Sequence, residues 1–117
     1  MKNQNILKRF CYALQGLKFA WKSERSFRAQ AIITICVIVV LFILKASLVW
    51  WGIILLAIGA TLAAELINTG MESMLDFLHP SHHVQIGRAK DCAAAAVLVL
   101  SLASIFIFIA FLLDRFY

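Results

Sequence analysis

Three long apolar runs limit what this chain can fold into more strongly than any other feature of its sequence. They cover residues 31–44, 48–64 and 92–113. A transmembrane helix needs about 20 mostly apolar residues, because each residue advances the helix by about 1.5 Å across a hydrocarbon core of about 30 Å. With the flanking residues that the shorter runs require, we predict transmembrane helices over residues 27–46, 48–76 and 91–113.

The composition argues against a soluble domain of this length. Apolar residues make up 63% of the 117 residues and charged residues 15%, whereas soluble domains average roughly 45–50% and about 25%. A small soluble core cannot bury that much apolar surface. We therefore predict one all-α membrane domain over residues 1–117. No cleaved signal peptide is expected, because a long basic segment precedes the first apolar run and no small-residue cleavage pattern follows it.

The segment before the first apolar run has the pattern of an amphipathic helix over residues 5–23. Lysines interrupt a series of apolar residues that recur every three or four positions. These are Ile6, Leu7, Phe10, Leu14, Leu17 and Trp21. Such a helix is predicted to lie along the membrane surface with its tryptophan at headgroup depth.

The basic residues predict the orientation of the chain in the membrane. Only Lys45 and Arg115 flank one side. The other nine flank the opposite side: Lys2, Lys8, Arg9, Lys18, Lys22, Arg25, Arg28, Arg88 and Lys90. By the positive-inside rule, the N-terminus and the polar loop at 78–91 are cytoplasmic. No basic groove with interleaved aromatic residues is apparent, so we expect no nucleic-acid partner.

A stripe of acidic and amide side chains runs along the second predicted membrane helix. Glu65, Asn68, Glu72 and Asp76 share a helix face about 80° wide. Glu65 is the deepest, and a carboxylate at that depth costs about 2.5–3.5 kcal/mol to insert. A role that offsets this cost is a general base, which must hold and release a proton. The alternative is a carboxylic acid that only bonds a neighbouring helix.

Two further groups suggest phosphate chemistry at the cytoplasmic side. Glu72 and Glu24 are hard oxygen ligands of the kind that suit Mg²⁺, although Glu24 can equally form surface ion pairs with the cations around it. Lys90 and Asp91 precede the third apolar run, where a helix N-terminus favours anions. The alternative for this pair is a topology signal and an N-cap. Three loop histidines without a nearby cysteine are weak evidence for zinc.

These residues lie in segments that resemble one known family. Residues 64–72 read AELINTGME and are followed by Asp76; residues 87–98 read GRAKDCAAAAVL, and residues 21–28 read WKSERSFR. All three segments are similar to motifs of the prokaryotic diacylglycerol kinases. The resemblance implies a homotrimer in the bacterial cytoplasmic membrane, with a surface helix and three transmembrane helices in each subunit. It also implies transfer of the γ-phosphoryl group of Mg-ATP to diacylglycerol, giving phosphatidic acid, at the cytoplasmic face.

The resemblance assigns expected roles residue by residue. Glu65 matches the proposed general base and Asn68 another residue of the catalytic site. Glu24 and Glu72 match carboxylates that bind the ATP-associated Mg²⁺. Positions that contact the nucleotide or lie near it correspond to Tyr12, His83, Lys90 and Asp91. Different subunits are expected to supply the surface helix and the acidic stripe of one site.

Other functions stay open from the sequence. Undecaprenol is a second possible acceptor, because the SERSFR and DCAAAA segments resemble the undecaprenol kinase branch of the family whereas GRAKD resembles the diacylglycerol branch. A small proton-coupled transporter would explain Glu65 alone. A non-catalytic assembly subunit would use the stripe only to join helices. The transporter function leaves Glu24, Glu72, Lys90 and Asp91 without a joint role.

Overall fold

The described part of the chain, residues 5–117 of a computed structural model, consists of four α-helices without a strand. They are α1 (Ile6–Ser23), α2 (Arg25–Ile43), α3 (Leu48–Leu78) and α4 (Val84–Phe116). The last three are each long and apolar enough to cross a membrane. The prediction of an all-α membrane protein is therefore confirmed.

A tight turn joins α1 to α2. Asn5 caps α1 by accepting a hydrogen bond from the backbone N–H of Lys8 at 2.9 Å. At the other end Glu24 adopts an extended conformation, and the Arg28 guanidinium donates to the carbonyl oxygens of Trp21 (2.7 Å) and Lys22 (3.2 Å). These carbonyls have no partner further along α1, so Arg28 satisfies them. The turn is thereby fixed, and Glu24 lies at the junction of the two helices.

Helix α2 ends at Ile43, three residues before the predicted end of that span. Lys45 has a positive φ of 53°. Its N–H donates to the carbonyl of Phe42 at 3.2 Å, and the Ala46 N–H donates to that of Leu41 at 3.0 Å. This pair of bonds is the Schellman pattern, which terminates a helix. The predicted span was longer because we extended the apolar run to match the thickness of the membrane. Membrane thickness does not indicate where a helix ends.

Helices α3 and α4 extend beyond their apolar parts at the end that carries the acidic stripe, called here the acidic end. The 31 residues of α3 measure about 46 Å, well over a hydrocarbon core of about 30 Å. Helix α4 begins at Val84, seven residues before the predicted start, and the His83 side chain caps it by accepting from the Gln85 N–H at 3.1 Å. A helical turn that lies in water can contain polar residues, so the length of the apolar run underestimates the length of α4.

The opposite end of the helices is joined by an apolar cluster and two polar contacts. Leu41, Ile54 and Phe111 form its buried centre. The indole N–H of Trp50 donates to Asp114 at 2.8 Å, and Arg115 Nε donates to the carbonyl of Leu44 at 3.0 Å. The carbonyl of Leu44 has no partner within α2, because it lies at the end of that helix. Arg115 therefore ties α4 to the end of α2.

A cavity of about 240 Å³ separates α2, α3 and α4 within the membrane span. Its walls are mostly apolar, with the polar pair Gln30 and Ser101 joined by a 3.1 Å hydrogen bond and Thr61 lying 3.0 Å from Ser104. Thr61 is one helical turn from Glu65, on the same buried face of α3. The cavity therefore lies next to the acidic stripe.

Candidate active site

Glu65 is one of the most completely buried side chains in the structure, with an exposed fraction of 2%. Its Oε1 accepts a hydrogen bond of 2.5 Å from the hydroxyl of Ser26, in the first turn of α2. Its backbone carbonyl accepts a second bond, from Thr69 at 2.8 Å. A buried carboxyl group without partners would be strongly disfavoured. Here both the side chain and the backbone of the residue are held in place.

The polar face of α3 is continuous toward the acidic end. Thr61, Glu65 and Thr69 are buried at four-residue intervals, and Asn68 and Glu72 are half-buried. The side-chain oxygen of Asn68 is buried, and no residue in the described range 5–117 donates a hydrogen bond to it. Buried acceptors normally have a donor. Asn68 therefore offers a free acceptor beside Glu65, suited to a hydroxyl or amino group of a ligand.

Glu24 and Glu72 bring two carboxyl groups together at the acidic end. The pKa of Glu24 is raised, first by partial burial and then by the negative charges of Glu72 and Glu65, with a smaller opposing effect from Arg28. Among the charged groups around Glu24, Glu72 has the largest effect on its pKa. The sequence left open whether Glu24 forms ion pairs with its neighbours. The described residues contain no ion pair of Glu24, and its largest interactions are with carboxylates.

The Glu24 and Glu72 pair has the chemistry of a magnesium site that is completed by a ligand. No group of three or more potential metal-binding side chains occurs between residues 5 and 117. Two carboxylates are nevertheless sufficient for Mg²⁺, which retains several waters and is commonly bound by one or two carboxylates together with substrate phosphates. The residues present therefore fit a metal that arrives with a nucleotide, and they do not form a closed protein cage.

Lys90 lies on α4 and forms an ion pair with Asp76 of α3. This pair borders a cavity of about 200 Å³ beneath the loop that joins the two helices. The sequence placed Lys90 and Asp91 at a helix N-terminus, and that interpretation is wrong because α4 begins at Val84, about two turns earlier. Lys90 is therefore held by a carboxylate from the neighbouring helix, and the dipole of the helix start does not act on it directly.

The remaining predicted site residues are exposed on the single chain. Tyr12 is 40% exposed on α1, and Asp91 is exposed on α4. His83 caps α4, and its ring lies 5.5 Å from that of His79 in an edge-on arrangement. No hydrogen bond or ion pair among the described residues joins any of the three to the acidic stripe. One chain therefore assembles the carboxylate centre without a bond to Tyr12 or Asp91, whereas His83 lines the same loop cavity as Asp76 and Lys90.

Two residues of the site were missed from the sequence alone. Ser26 contacts Glu65, and Arg28 holds the turn on which Glu24 lies. Both belong to the WKSERSFR segment that carries part of the family resemblance. Ser26 and Arg28 follow Glu24 by two and four residues, and this spacing could have identified both. A helix that begins directly after Glu24 brings its first turn close to the groups that Glu24 contacts.

Comparison with known proteins identifies the family of this chain. The profile of the family described as prokaryotic diacylglycerol kinase matches residues 11–112. An undecaprenol kinase of Bacillus subtilis is 34% identical over 99 residues, covering 85% of this chain and 80% of that protein. A diacylglycerol kinase of Helicobacter pylori is 33% identical over 96 residues, covering 82% and 75%. A diacylglycerol kinase of Escherichia coli is 26% identical over 100 residues, covering 86% and 82%.

The family match extends from α1 to the last turns of α4 and includes every carboxylate of the stripe. The relatives share a chemistry, since each is named as a kinase of a lipid alcohol, although they differ in the lipid. The expectations of an all-α membrane fold and of this family are thus confirmed together. This chain belongs to the prokaryotic diacylglycerol kinase family and is a membrane lipid kinase.

Proposed function

We propose that this kinase transfers the γ-phosphoryl group of ATP to the hydroxyl of diacylglycerol and so forms phosphatidic acid. The observation that supports this most directly is the position of Glu65. It is buried at the end of the apolar part of α3, between the apolar cavity on one side and the Glu24 and Glu72 pair on the other. A lipid hydroxyl and a nucleotide phosphate approach from those two sides. Undecaprenol is the second candidate acceptor, since it is the substrate named for the Bacillus subtilis relative.

In the proposed reaction Glu65 takes the proton of the lipid hydroxyl. The hydroxyl oxygen forms a bond to the γ-phosphorus, the bond from that phosphorus to the bridging oxygen breaks, and ADP leaves. The free oxygen of Asn68 is placed to accept a hydrogen bond from one of the reactants. Phosphoryl transfer depends mainly on positioning and charge neutralisation. A buried base on a rigid helix, with its backbone carbonyl bonded to Thr69, supplies the positioning.

Glu24 and Glu72 are proposed to hold the Mg²⁺ that accompanies ATP. Bound there, the ion would offset the negative charge of the transferring phosphates. Lys90 is proposed to bind a phosphate oxygen, which requires it to leave Asp76; an exposed ion pair of this kind is weak enough to exchange. Tyr12, His83 and Asp91 are proposed to contact the nucleotide across a subunit boundary of a homotrimer.

The proposed assembly and orientation rest on surface properties. Most apolar side chains of the three spans are exposed on the single chain, so they must face lipid or other copies. Eight of the nine cations assigned to the acidic side lie in the described residues, and all are on α1, on the first turn of α2 or on the first turns of α4. By the positive-inside rule this end faces the cytoplasm, where ATP is present. We place the protein in the bacterial cytoplasmic membrane on this basis.

The acceptor is identified by labelled phosphate transfer in lipid micelles. We expect purified protein with Mg-ATP to label diacylglycerol at a kcat/KM at least about tenfold above that for undecaprenol, a preference of about 1.4 kcal/mol. The reverse preference would assign the second acceptor. If neither lipid is labelled and folded protein shows no Mg²⁺-dependent ATP binding, the proposed reaction is wrong.

The raised pKa of Glu24 predicts how magnesium binding depends on pH. A raised pKa means that the carboxyl keeps its proton at pH values where an ordinary glutamate is ionised. Mg²⁺ must displace that proton, so its affinity is expected to fall as the pH is lowered through the raised pKa of Glu24, and to do so at a higher pH than for an ordinary glutamate. Isothermal titration at several pH values measures this. In Glu24→Gln, which has no proton to lose, the remaining affinity should lose most of its pH dependence; an unchanged dependence would contradict the assignment.

A further inference from the structure

The hydrogen bond between Ser26 and Glu65 joins two helices at the centre of the proposed site. The hydroxyl of Ser26 donates to Oε1 of Glu65 at 2.5 Å, across a separation of 39 residues in the chain. The serine lies on the exposed side of the pair, whereas the carboxyl is 2% exposed. The bond therefore connects the surface of the site to the buried group that is proposed to accept the proton.

The hydroxyl of Ser26 behaves differently from the neighbouring hydroxyls. Ser23 and Thr34 each donate to the backbone carbonyl four residues earlier in their own helix, at 2.8 Å. This is the usual local partner for such side chains in a helix. Ser26 lies in the first turn of α2, where no preceding turn of that helix offers a carbonyl. Its hydroxyl is consequently free to bond a side chain of α3.

We propose that Ser26 is a positioning residue for the catalytic carboxylate. By occupying Oε1, the hydroxyl fixes the rotation of the Glu65 carboxyl and leaves Oε2 as the oxygen that receives the lipid proton. A hydrogen bond to a carboxylate is stronger than one between neutral groups, so this hydroxyl can hold the carboxyl group in one orientation. This inference rests on the proposed role of Glu65 as general base.

A purely structural bond between helices is the competing explanation, and it makes different predictions. A structural bond would affect the stability of the α2 and α3 contact and leave turnover per folded molecule unchanged. A positioning bond would affect turnover and leave the binding of Mg-ATP unchanged, because Ser26 makes no contact with Glu72 among the hydrogen bonds of the described residues. Steady-state kinetics on folded protein separate the two explanations.

The test compares Ser26→Ala with Ser26→Thr and with the control Ser23→Ala, in phosphate transfer to the preferred lipid. Ser23→Ala removes a hydroxyl of the same size three residues away, one that bonds only its own helix. We expect Ser26→Ala to lower kcat by roughly 10- to 100-fold, the range for a lost hydrogen bond to a charged group. The KM for Mg-ATP should change by less than about twofold. Ser26→Thr keeps the hydroxyl and should retain most of the turnover, and the control should match wild type.

Three outcomes would overturn the inference. They are an unchanged kcat in Ser26→Ala, a raised KM for Mg-ATP with an unchanged kcat, and an equal loss in Ser26→Ala and Ser26→Thr. The kinetics are taken on protein whose thermal unfolding matches that of wild type. A wild-type protein that phosphorylates neither lipid would contradict the proposed function itself, so that the two failures are distinguishable.

Discussion

Glu65→Gln is expected to lower kcat by about 10²- to 10⁴-fold, the usual contribution of a general base. Glutamine has nearly the shape of glutamate and can still accept the hydrogen bond from Ser26 through its amide oxygen. What it lacks is the ability to take a proton from the lipid hydroxyl. Binding of Mg-ATP should change by less than about threefold, because Glu24 and Glu72 keep their charges.

The experiment measures kcat by labelled phosphate transfer and Mg-ATP affinity by equilibrium titration on the same preparations. Asp114→Asn is a matched control, since it also converts a carboxylate to an amide but lies at the opposite end, where it contacts Trp50. Glu65→Asp is informative as well, because it keeps a carboxyl group but withdraws it by one methylene from the hydroxyl of Ser26. Full turnover in Glu65→Gln, or lost ATP affinity with normal turnover, would show that Glu65 is not the base.

The acidic stripe shows which part of the candidate site can be predicted from helical periodicity. Glu65 and Glu72 were placed on one helix face by the geometry of a single helix, and the structure buries that face at Glu65 as expected. No partner needs to be known for such a prediction, since 3.6 residues per turn determines which side chains share a side. The three transmembrane helices are predictable for a different reason, because the membrane sets the length and composition of each apolar run.

Apart from the pairing of Glu24 with Glu72, the contacts between helices were not predicted from the sequence. The bond from Ser26 to Glu65 depends on the turn at Glu24, which Arg28 fixes by bonding two carbonyls of α1. Lys90 reaches Asp76 only because α4 starts at Val84 and runs back beside α3. Each contact joins residues that no helical periodicity relates. Their geometry follows from where helices start and stop, and these boundaries are determined by polar residues outside the apolar runs.

The position of the proposed base also bears on how the enzyme would handle the two proposed substrates, which are of opposite polarity. Glu65 is flanked by a largely apolar cavity toward the middle of the membrane and by carboxylates toward the acidic end. Because α3 extends well beyond the hydrocarbon core, Glu72 and Asp76 lie where water and nucleotide are accessible. A single rigid helix therefore spans the boundary between the two substrates. Neither substrate has to cross into the other's environment for the transfer to occur.

Glu72→Gln is expected to weaken the binding of Mg-ATP by roughly 10- to 100-fold, about the effect of losing one charged ligand. Glu24→Gln should have a similar effect, since the two carboxyl groups are proposed to hold the same ion. Their shared role predicts that the double variant loses less than the two single losses combined, because either single change already disrupts the site. Titration of the four proteins with ATP, at saturating Mg²⁺ and without it, measures the coupling.

The behaviour of Glu72→Gln without Mg²⁺ provides an independent check. The negative charge of Glu72 raises the pKa of Glu24, so the two carboxylates repel each other when no cation lies between them. Removing one charge should leave thermal stability unchanged or raise it in the absence of Mg²⁺, whereas a damaged fold would lower it. Wild type should gain stability when Mg²⁺ and ATP are added, by the mass action of a ligand that binds only the folded state, and the variant should gain less. Additive losses in the double variant, together with equal stabilisation by Mg-ATP, would mean that the two carboxylates do not share a metal.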